Sequence, residues 1–239
     1  MVLLDIEGTT TPIDFVYKML FPYASRNVES FLREHGSDLG IGELVEGLKT
    51  QSGQDCAQGL QPPVWSMVSD EARILSEVAY VQWLIARDSK CTPLKSLQGK
   101  IWQRGFESGE LHGEVYPDVP PAFDRWREQG RDICIYSSGS VVAQQQLFRT
   151  ASSGDLTRFI TGFFDTQTGN KNAPQSYKKI AASLRRNPPE MLFVSDALKE
   201  VQAARSAGMH AVLCDRGAQL VVARGSSEVI HTFDEVFPR

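Results

Sequence analysis

Along the chain the apolar positions fall into two regimes. From Phe15 to about Gly109 they recur at helical spacing. Phe15-Val16, Met19-Leu20, Tyr23, Val28 and Phe31-Leu32 line one face of a first helix, with Gly36 as its stop. Leu44-Val45 and Leu48 predict a short second helix. Asp70 is placed to cap a third, with Ile74-Leu75, Val78, Val81 and Leu84-Ile85 turned inward. Leu94, Leu97, Ile101-Trp102 and Phe106 predict a fourth that ends near Gly109.

After Gly113 the pattern alternates. Ile133–Tyr136, the run from Phe159 to Asp165, Met191–Val194 and Ala211–Cys214 are short apolar runs that read as strands. Between them Pro121–Gln129, Val141–Phe148, Ser176–Leu184 and Leu198–Ala207 read as helices, the last stopped by Gly208. Strands alternating with helices predict βαβ units and a parallel sheet. Val2-Leu3-Leu4 is a further buried strand, closed by the turn residues Gly8-Thr9-Thr10. It is parted from the other strands by a block of about 100 mostly helical residues, too long for a structureless loop. The expected architecture is therefore an α/β core of residues 1–13 and 113–239, with a helical domain of residues 14–112 inserted after the first strand. That insertion would act as a lid over the ligand crevice.

The 239 residues are 41% hydrophobic and 23% charged, as in an ordinary globular chain, and their net charge of -4 offers no footprint for nucleic acid. The basic pairs Lys178-Lys179 and Arg185-Arg186 read as solvated helix faces. Cys56, Cys91, Cys134 and Cys214 show neither a CxxC pair nor zinc spacing, and the latter two sit in apolar runs as core residues. No apolar run approaches the ~20 residues of a membrane span. Met1-Val2-Leu3-Leu4 meets an acid at once, without a basic leader. A cytoplasmic protein without membrane or nucleic-acid partners is expected.

The chemistry gathers at predicted strand ends, where open α/β sheets bind ligands. Asp5 and Glu7 close the first strand, and if strand geometry persisted they would project from one face. Two such carboxylates call for a shared proton or a cation such as Mg²⁺; the plainer reading is a surface turn. Ser137-Ser138-Gly139 opens a helix, where hydroxyls, backbone N–H groups and the helix dipole suit an anion; the alternative is simple N-capping. Lys171, in Thr168-Gly169-Asn170-Lys171, could neutralise a phosphate, or be an exposed loop lysine. Asp196 follows Val194-Ser195 and could join a magnesium site, or cap the next helix. Glu200, one turn on, is either a partner of that site or a first-turn helix acid.

The order acid-x-acid-Gly-Thr, Ser-Ser-Gly, loop Lys, Ser-Asp resembles the haloacid-dehalogenase superfamily of aspartyl-phosphate phosphatases, and the helical insertion matches one of its cap classes. Glu7, where that superfamily usually has Asp, narrows the resemblance. Asp5-Ile6-Glu7-Gly8-Thr9-Thr10, Leu20-Phe21-Pro22-Tyr23-Ala24, Gly109-Glu110-Leu111, Val115-Tyr116-Pro117-Asp118-Val119, Tyr136–Ser140 and Ser176-Tyr177 are similar to the enolase-phosphatases (acireductone synthases) of methionine salvage. The resemblance implies a Rossmann-like core with a helical cap and one Mg²⁺ per subunit. It implies a phosphorylated diketone as substrate, 2,3-diketo-5-methylthiopentyl-1-phosphate, enolised and then dephosphorylated to an acireductone. A monomer is the expected state.

By the same resemblance Asp5 is the nucleophile and a metal ligand. Glu7 is a metal ligand through its carbonyl, with its carboxylate left as general acid and base. Ser137, Ser138 and Lys171 bind phosphate, and Asp196 completes the metal site. Two departures stand out: only four residues precede Asp5, and Lys171-Asn172-Ala173 lacks the acid often found two places after this lysine. Phe15, Tyr17, Trp65 and Tyr80 are apolar candidates for the methylthio group, with core packing as the competing role. The competing activity is another magnesium-dependent phosphatase of the superfamily acting on a different small ester. A scaffold on a decayed hydrolase fold would have lost a motif residue, and none is lost. Gly40-Ile41-Gly42 lies in the helical block and lacks a third glycine, which argues against a dinucleotide site.

Overall fold

A computed structural model describes residues 1–217 and 229–238. The strands are β1 (Val2–Leu4), β2 (Ile133–Tyr136), β3 (Ile160–Phe164), β4 (Leu192–Ser195), β5 (His210–Cys214) and β6 (Val229–Ile230). They form one sheet in the order β3-β2-β1-β4-β5-β6, with every pairing parallel. Strands covered on both faces need continuous apolar runs, and all three residues of β1 are fully buried. Strand order reverses at β1: β2 and β3 extend to one side, β4 to β6 to the other. The crevice at the carboxyl ends of β1 and β4 is therefore the topological switch point of the sheet.

The helices are α1 (Ile13–Phe15), α2 (Phe21–His35), α3 (Leu39–Ala57), α4 (Asp70–Ala86), α5 (Thr92–Ser108), α6 (Val119–Glu128), α7 (Val141–Arg149), α8 (Pro174–Ser183) and α9 (Leu198–Ser206). The chain packs as two compact units, Met1–Phe15 with Leu111–Arg239, and Val16–Glu110. In the first unit Tyr177, Ile180 and Ala181 of α8 and Val201, Ala203 and Ala204 of α9 join Leu3, Tyr136 and Phe193 in one core cluster. Cys134 and Cys214 lie in the sheet as small buried residues.

The helical unit departs from its sequence pattern in three places. The single helix expected from Phe15 to Gly36 is broken by a π-helical turn over Val16–Leu20. Pro22 has no N–H to return to the Lys18 carbonyl, so the ladder widens just before it. The second helix is long, not short: α3 runs 19 residues through Gly40, Gly42, Gly47 and Gly53. Ile41, Val45, Leu48, Ser52 and Asp55 carry its buried face, and Tyr80 donates a 2.6 Å hydrogen bond to Asp55. The cap of α4 is Ser69, whose Oγ accepts from the Ala72 N–H at 3.1 Å, and Asp70 is instead the first helical residue. Among the described residues no helix is long and apolar enough to cross a membrane.

Candidate active site

Asp5 follows the last residue of β1, and its N–H donates to the Val194 carbonyl at 3.0 Å. Strand geometry stops there. The N–H groups of Thr9, Thr10 and Thr11 all converge on the Ile6 carbonyl at 3.2, 2.9 and 2.9 Å, and Gly8 turns the chain at φ +69°. The expectation that Asp5 and Glu7 share a strand face is therefore not met. Asp5 is buried at 5% exposure, while Glu7 is carried out of the strand by the turn and is exposed.

What meets Asp5 instead comes from the loop after β3, the end of β4 and the first turn of α9. Lys171 Nζ donates to Asp5 Oδ1 at 2.5 Å and lies 2.7 Å from Glu200 Oε2. Ser195 Oγ stands between Asp5 Oδ2, at 3.3 Å, and Glu200 Oε2, at 2.9 Å. Lys171 is only 8% exposed, which removes the reading of a surface loop lysine. Burial by itself lowers an ammonium pKa, but the Asp5 and Glu200 charges outweigh it and hold Lys171 above the ordinary lysine value. Burial and then Asp5 raise Glu200, with Lys171 acting in the opposite sense.

Asp196 belongs to the same charge cluster. Burial, then Asp5, then Glu200 push its carboxyl up to about 7. It does not cap α9: the cap residue is Ala197, with no side-chain bond, and its N–H is taken by Ser195 Oγ at 3.1 Å. The Asp196 N–H donates to Thr9 Oγ1 at 3.0 Å, so the first turn and the fourth strand end are tied together. A Cβ on Gly8 would overlap Asp196 Oδ2, so only glycine lets the main chain pass this close.

Ser137 and Ser138 extend β2 beside the Asp5 turn, because β1 and β2 pair Leu4 with Ile135. Neither caps the following helix. That role falls to Ser140, whose Oγ accepts from the Ala143 N–H at 3.3 Å. Ser137 Oγ accepts from the Gly139 N–H at 3.2 Å, and Ser138 is half-buried.

Ser195, Thr9 and Arg216 carry parts of this arrangement that the sequence reading gave no role. Arg216 donates through Nε and Nη2 to the Thr9 carbonyl at 3.1 and 2.9 Å. Its Nη1 pairs with Asp118 at 2.6 Å, and its guanidinium lies 4.4 Å from the centre of the Tyr116 ring. A cation directly after the end of β5, in Asp215-Arg216-Gly217, was the available signal. Of the apolar candidates for substrate contact, Phe15 and Tyr80 are buried, Trp65 is half-buried and Tyr17 is 50% exposed.

The donor set suits a hard divalent cation. Among the described residues no three acid, histidine or cysteine side chains converge as a metal cage. Magnesium does not need one: it takes one or two carboxylates with water and phosphate oxygens. Asp5 and Asp196 are two carboxylates close enough for the first to raise the second. The Glu7 carboxylate is exposed, yet its charge also helps to raise Asp196.

Known proteins resemble this chain in sequence and fold. The family model for haloacid dehalogenase-like hydrolases matches residues 1–208. The chain is 47% identical to enolase-phosphatase E1 of Synechococcus elongatus over 98% of its own length and 96% of the relative's. It is 43% identical to enolase-phosphatase E1 of Drosophila melanogaster over 93% of its own length and 86% of the relative's. The crystal structure of the UTR4 protein of Saccharomyces cerevisiae superposes with a TM-score of 0.75 at 30% identity, covering 99% of both chains. The hydrolase YfnB of Bacillus subtilis, whose crystal structure is described as bound to magnesium, shares the fold with a TM-score of 0.56 at 13% identity, covering 99% of this chain and 96% of its own.

Proposed function

The chain belongs to the haloacid dehalogenase-like hydrolases and, among them, to the enolase-phosphatase E1 family, and on that footing we propose that it enolises 2,3-diketo-5-methylthiopentyl-1-phosphate and then removes the phosphate to give an acireductone in methionine salvage. The observation that carries the reading is the buried Asp5 carboxylate held by Lys171 at 2.5 Å, with Glu200 and Ser195 behind it. That arrangement presents a carboxylate nucleophile and a fixed ammonium at the switch point of the sheet.

Asp5 Oδ attacks phosphorus, and the bond from phosphorus to the substrate oxygen breaks. Lys171, kept charged by its two carboxylate neighbours, offsets the negative charge that gathers on the transferring oxygens. Ser137 orients the phosphate through its hydroxyl, and Ser138 through its hydroxyl and main-chain N–H. Glu7, outside the buried cluster, protonates the departing oxygen and then takes a proton from the water that cleaves the aspartyl phosphate. Phosphate leaves and Asp5 returns as a carboxylate. Asp5, Asp196 and the Glu7 carbonyl would hold one Mg²⁺, which screens the approach of one anion to another. Enolisation needs a base beside the carbon that bears the phosphate, and Glu7 is the candidate. The helical residues 14–112 serve as the cap domain, and the protein acts in the cytoplasm as a monomer.

The test is turnover of the diketo phosphate with Mg²⁺, following acireductone absorbance and phosphate in parallel. Equal yields of both are expected. Phosphate release from other esters with no turnover of the diketone would leave the phosphatase chemistry and replace the substrate.

A further inference from the structure

Lys171 sits in a loop turned locally by Asn170, whose Oδ1 accepts from the Asn172 N–H at 2.8 Å. The stretch Gly169-Asn170-Lys171-Asn172-Ala173 is short and polar and has no acid near the lysine. Even so, its ammonium is delivered to within 2.5 Å of Asp5 and 2.7 Å of Glu200. The backbone shows how. Tyr136 at the end of β2 donates its phenol O–H to the Gly169 carbonyl at 2.9 Å. Ser176 Oγ, in the first turn of α8, donates to the Asn170 carbonyl at 2.8 Å. Tyr177 donates its O–H to the Lys171 carbonyl at 2.7 Å. Three consecutive carbonyls are thus held by three side-chain hydroxyls from two elements of the core.

The anchors are rigid. Both tyrosines are fully buried, and their rings pack edge to face with centroids 5.6 Å apart. Tyr177 packs in turn on Phe193 of β4 at 5.0 Å. Burial raises both phenols above the ordinary tyrosine value, so they remain donors. Gly169 has φ +147°, and a Cβ there would overlap Ser176 Oγ, so the loop lies against its latch. The Tyr136 ring also faces the ammonium, with Nζ 5.8 Å from its centre.

We propose that the hydroxyls of Tyr136, Ser176 and Tyr177 are positioning groups for the reaction: by fixing the Gly169–Lys171 main chain they set the Lys171 ammonium where the substrate phosphate must meet it. The proposal rests on the reading of Lys171 as a phosphate-binding residue. A fixed loop lets Lys171 meet phosphate without reorganising, and displacement of such a group by about 1 Å can cost about 100-fold in rate.

The test uses the magnesium-loaded protein and inorganic phosphate as the probe. Phosphate affinity is measured by calorimetry, and kcat and KM are measured on the phosphorylated substrate. Tyr136→Phe with Tyr177→Phe removes both hydroxyls and leaves both rings. Phosphate affinity should weaken by about 10-fold and kcat should fall by about 10- to 100-fold. In a Lys171→Met background the same two changes should weaken phosphate no further, because they act through the ammonium. Ser176→Ala, which leaves both rings in place, should shift phosphate affinity in the same direction by about three-fold. Lowered thermal stability with wild-type phosphate affinity and kcat in these variants would overturn the proposal, as would full additivity with Lys171→Met. Unchanged phosphate affinity in Lys171→Met alone would instead overturn the reading of Lys171 itself.

Discussion

Replacing Lys171 by Met removes one buried cation from among three acids and leaves a stem of similar volume. The ammonium contacts Asp5 at 2.5 Å and Glu200 at 2.7 Å. At an effective dielectric constant of about 20, each unit pair at such distances is worth about 6 kcal/mol. Relief from burying the ammonium offsets much of this, and breaking a buried pair leaves a net loss of about 3–5 kcal/mol. The loss should depend on pH. Lys171 opposes the rise of both Glu200 and Asp196, so its removal drives both carboxyls higher in the folded state. A group with a raised folded-state pKa stabilises below its unfolded value, about 4 for a carboxyl, and that stability is lost as pH rises through the folded value. The folded value for Asp196 is about 7 with Lys171 present and higher without it. The deficit of the variant should therefore be smallest in acid and grow as pH rises above about 7 toward the variant's own, higher folded value. Urea denaturation of both proteins in EDTA, across that range, measures it directly. A deficit that is constant with pH, or that grows toward acid, refutes the charge balance described for the site.

Asp5→Asn should cut phosphate release by about a thousandfold or more while the circular dichroism spectrum stays unchanged; normal turnover would remove Asp5 as nucleophile. Gly8→Ala forces φ +69° on a residue with a Cβ, at about 1–2 kcal/mol, and drives that Cβ into Asp196. Calorimetry should then show weakened Mg²⁺ binding, and wild-type affinity would show that Asp196 is not placed by this close approach. Arg216→Lys keeps a cation beside Asp118 but loses the two-pronged hold on the Thr9 carbonyl. Because Thr9 Oγ1 receives the Asp196 N–H, Mg²⁺ affinity should drop by about 10-fold, with an unchanged titration counting against that path.

Much of the α/β unit was legible because β1 to β5 are short apolar runs followed by polar residues; β6, only Val229–Ile230, is too short to leave such a run. Asp5 and Asp196 stood out at strand ends and Lys171 in the loop after the Phe159–Asp165 run, each beside a plainer alternative, and their order along the chain carried the resemblance. Helix starts were less legible where several candidate caps lie together, as in Ser137-Ser138-Gly139-Ser140 and in Ser69-Asp70. One residue takes the N–H there, and local pattern does not say which. The length of α3 was hidden by its glycines, which are poor helix formers tolerated because Ile41, Val45 and Leu48 are buried at helical spacing. The divergence of Asp5 and Glu7 was hidden for a different reason: β1 stops at Leu4 and three N–H groups converge on the Ile6 carbonyl, so the strand does not run on to Glu7 as alternation implies. Partners far apart in the chain leave no local trace. Arg216 and Asp118 are 98 residues apart, and Tyr136 reaches a carbonyl 33 residues on.

The most direct test of the account is to mix the magnesium-loaded protein with the diketo phosphate, quench in acid during turnover, and map the phosphoryl group by mass spectrometry. The account predicts phosphorylation of Asp5 in the amino-terminal peptide, formed while acireductone and phosphate accumulate together. Turnover of that substrate with Asp5 unmodified, or with the phosphoryl group on another residue, would contradict it.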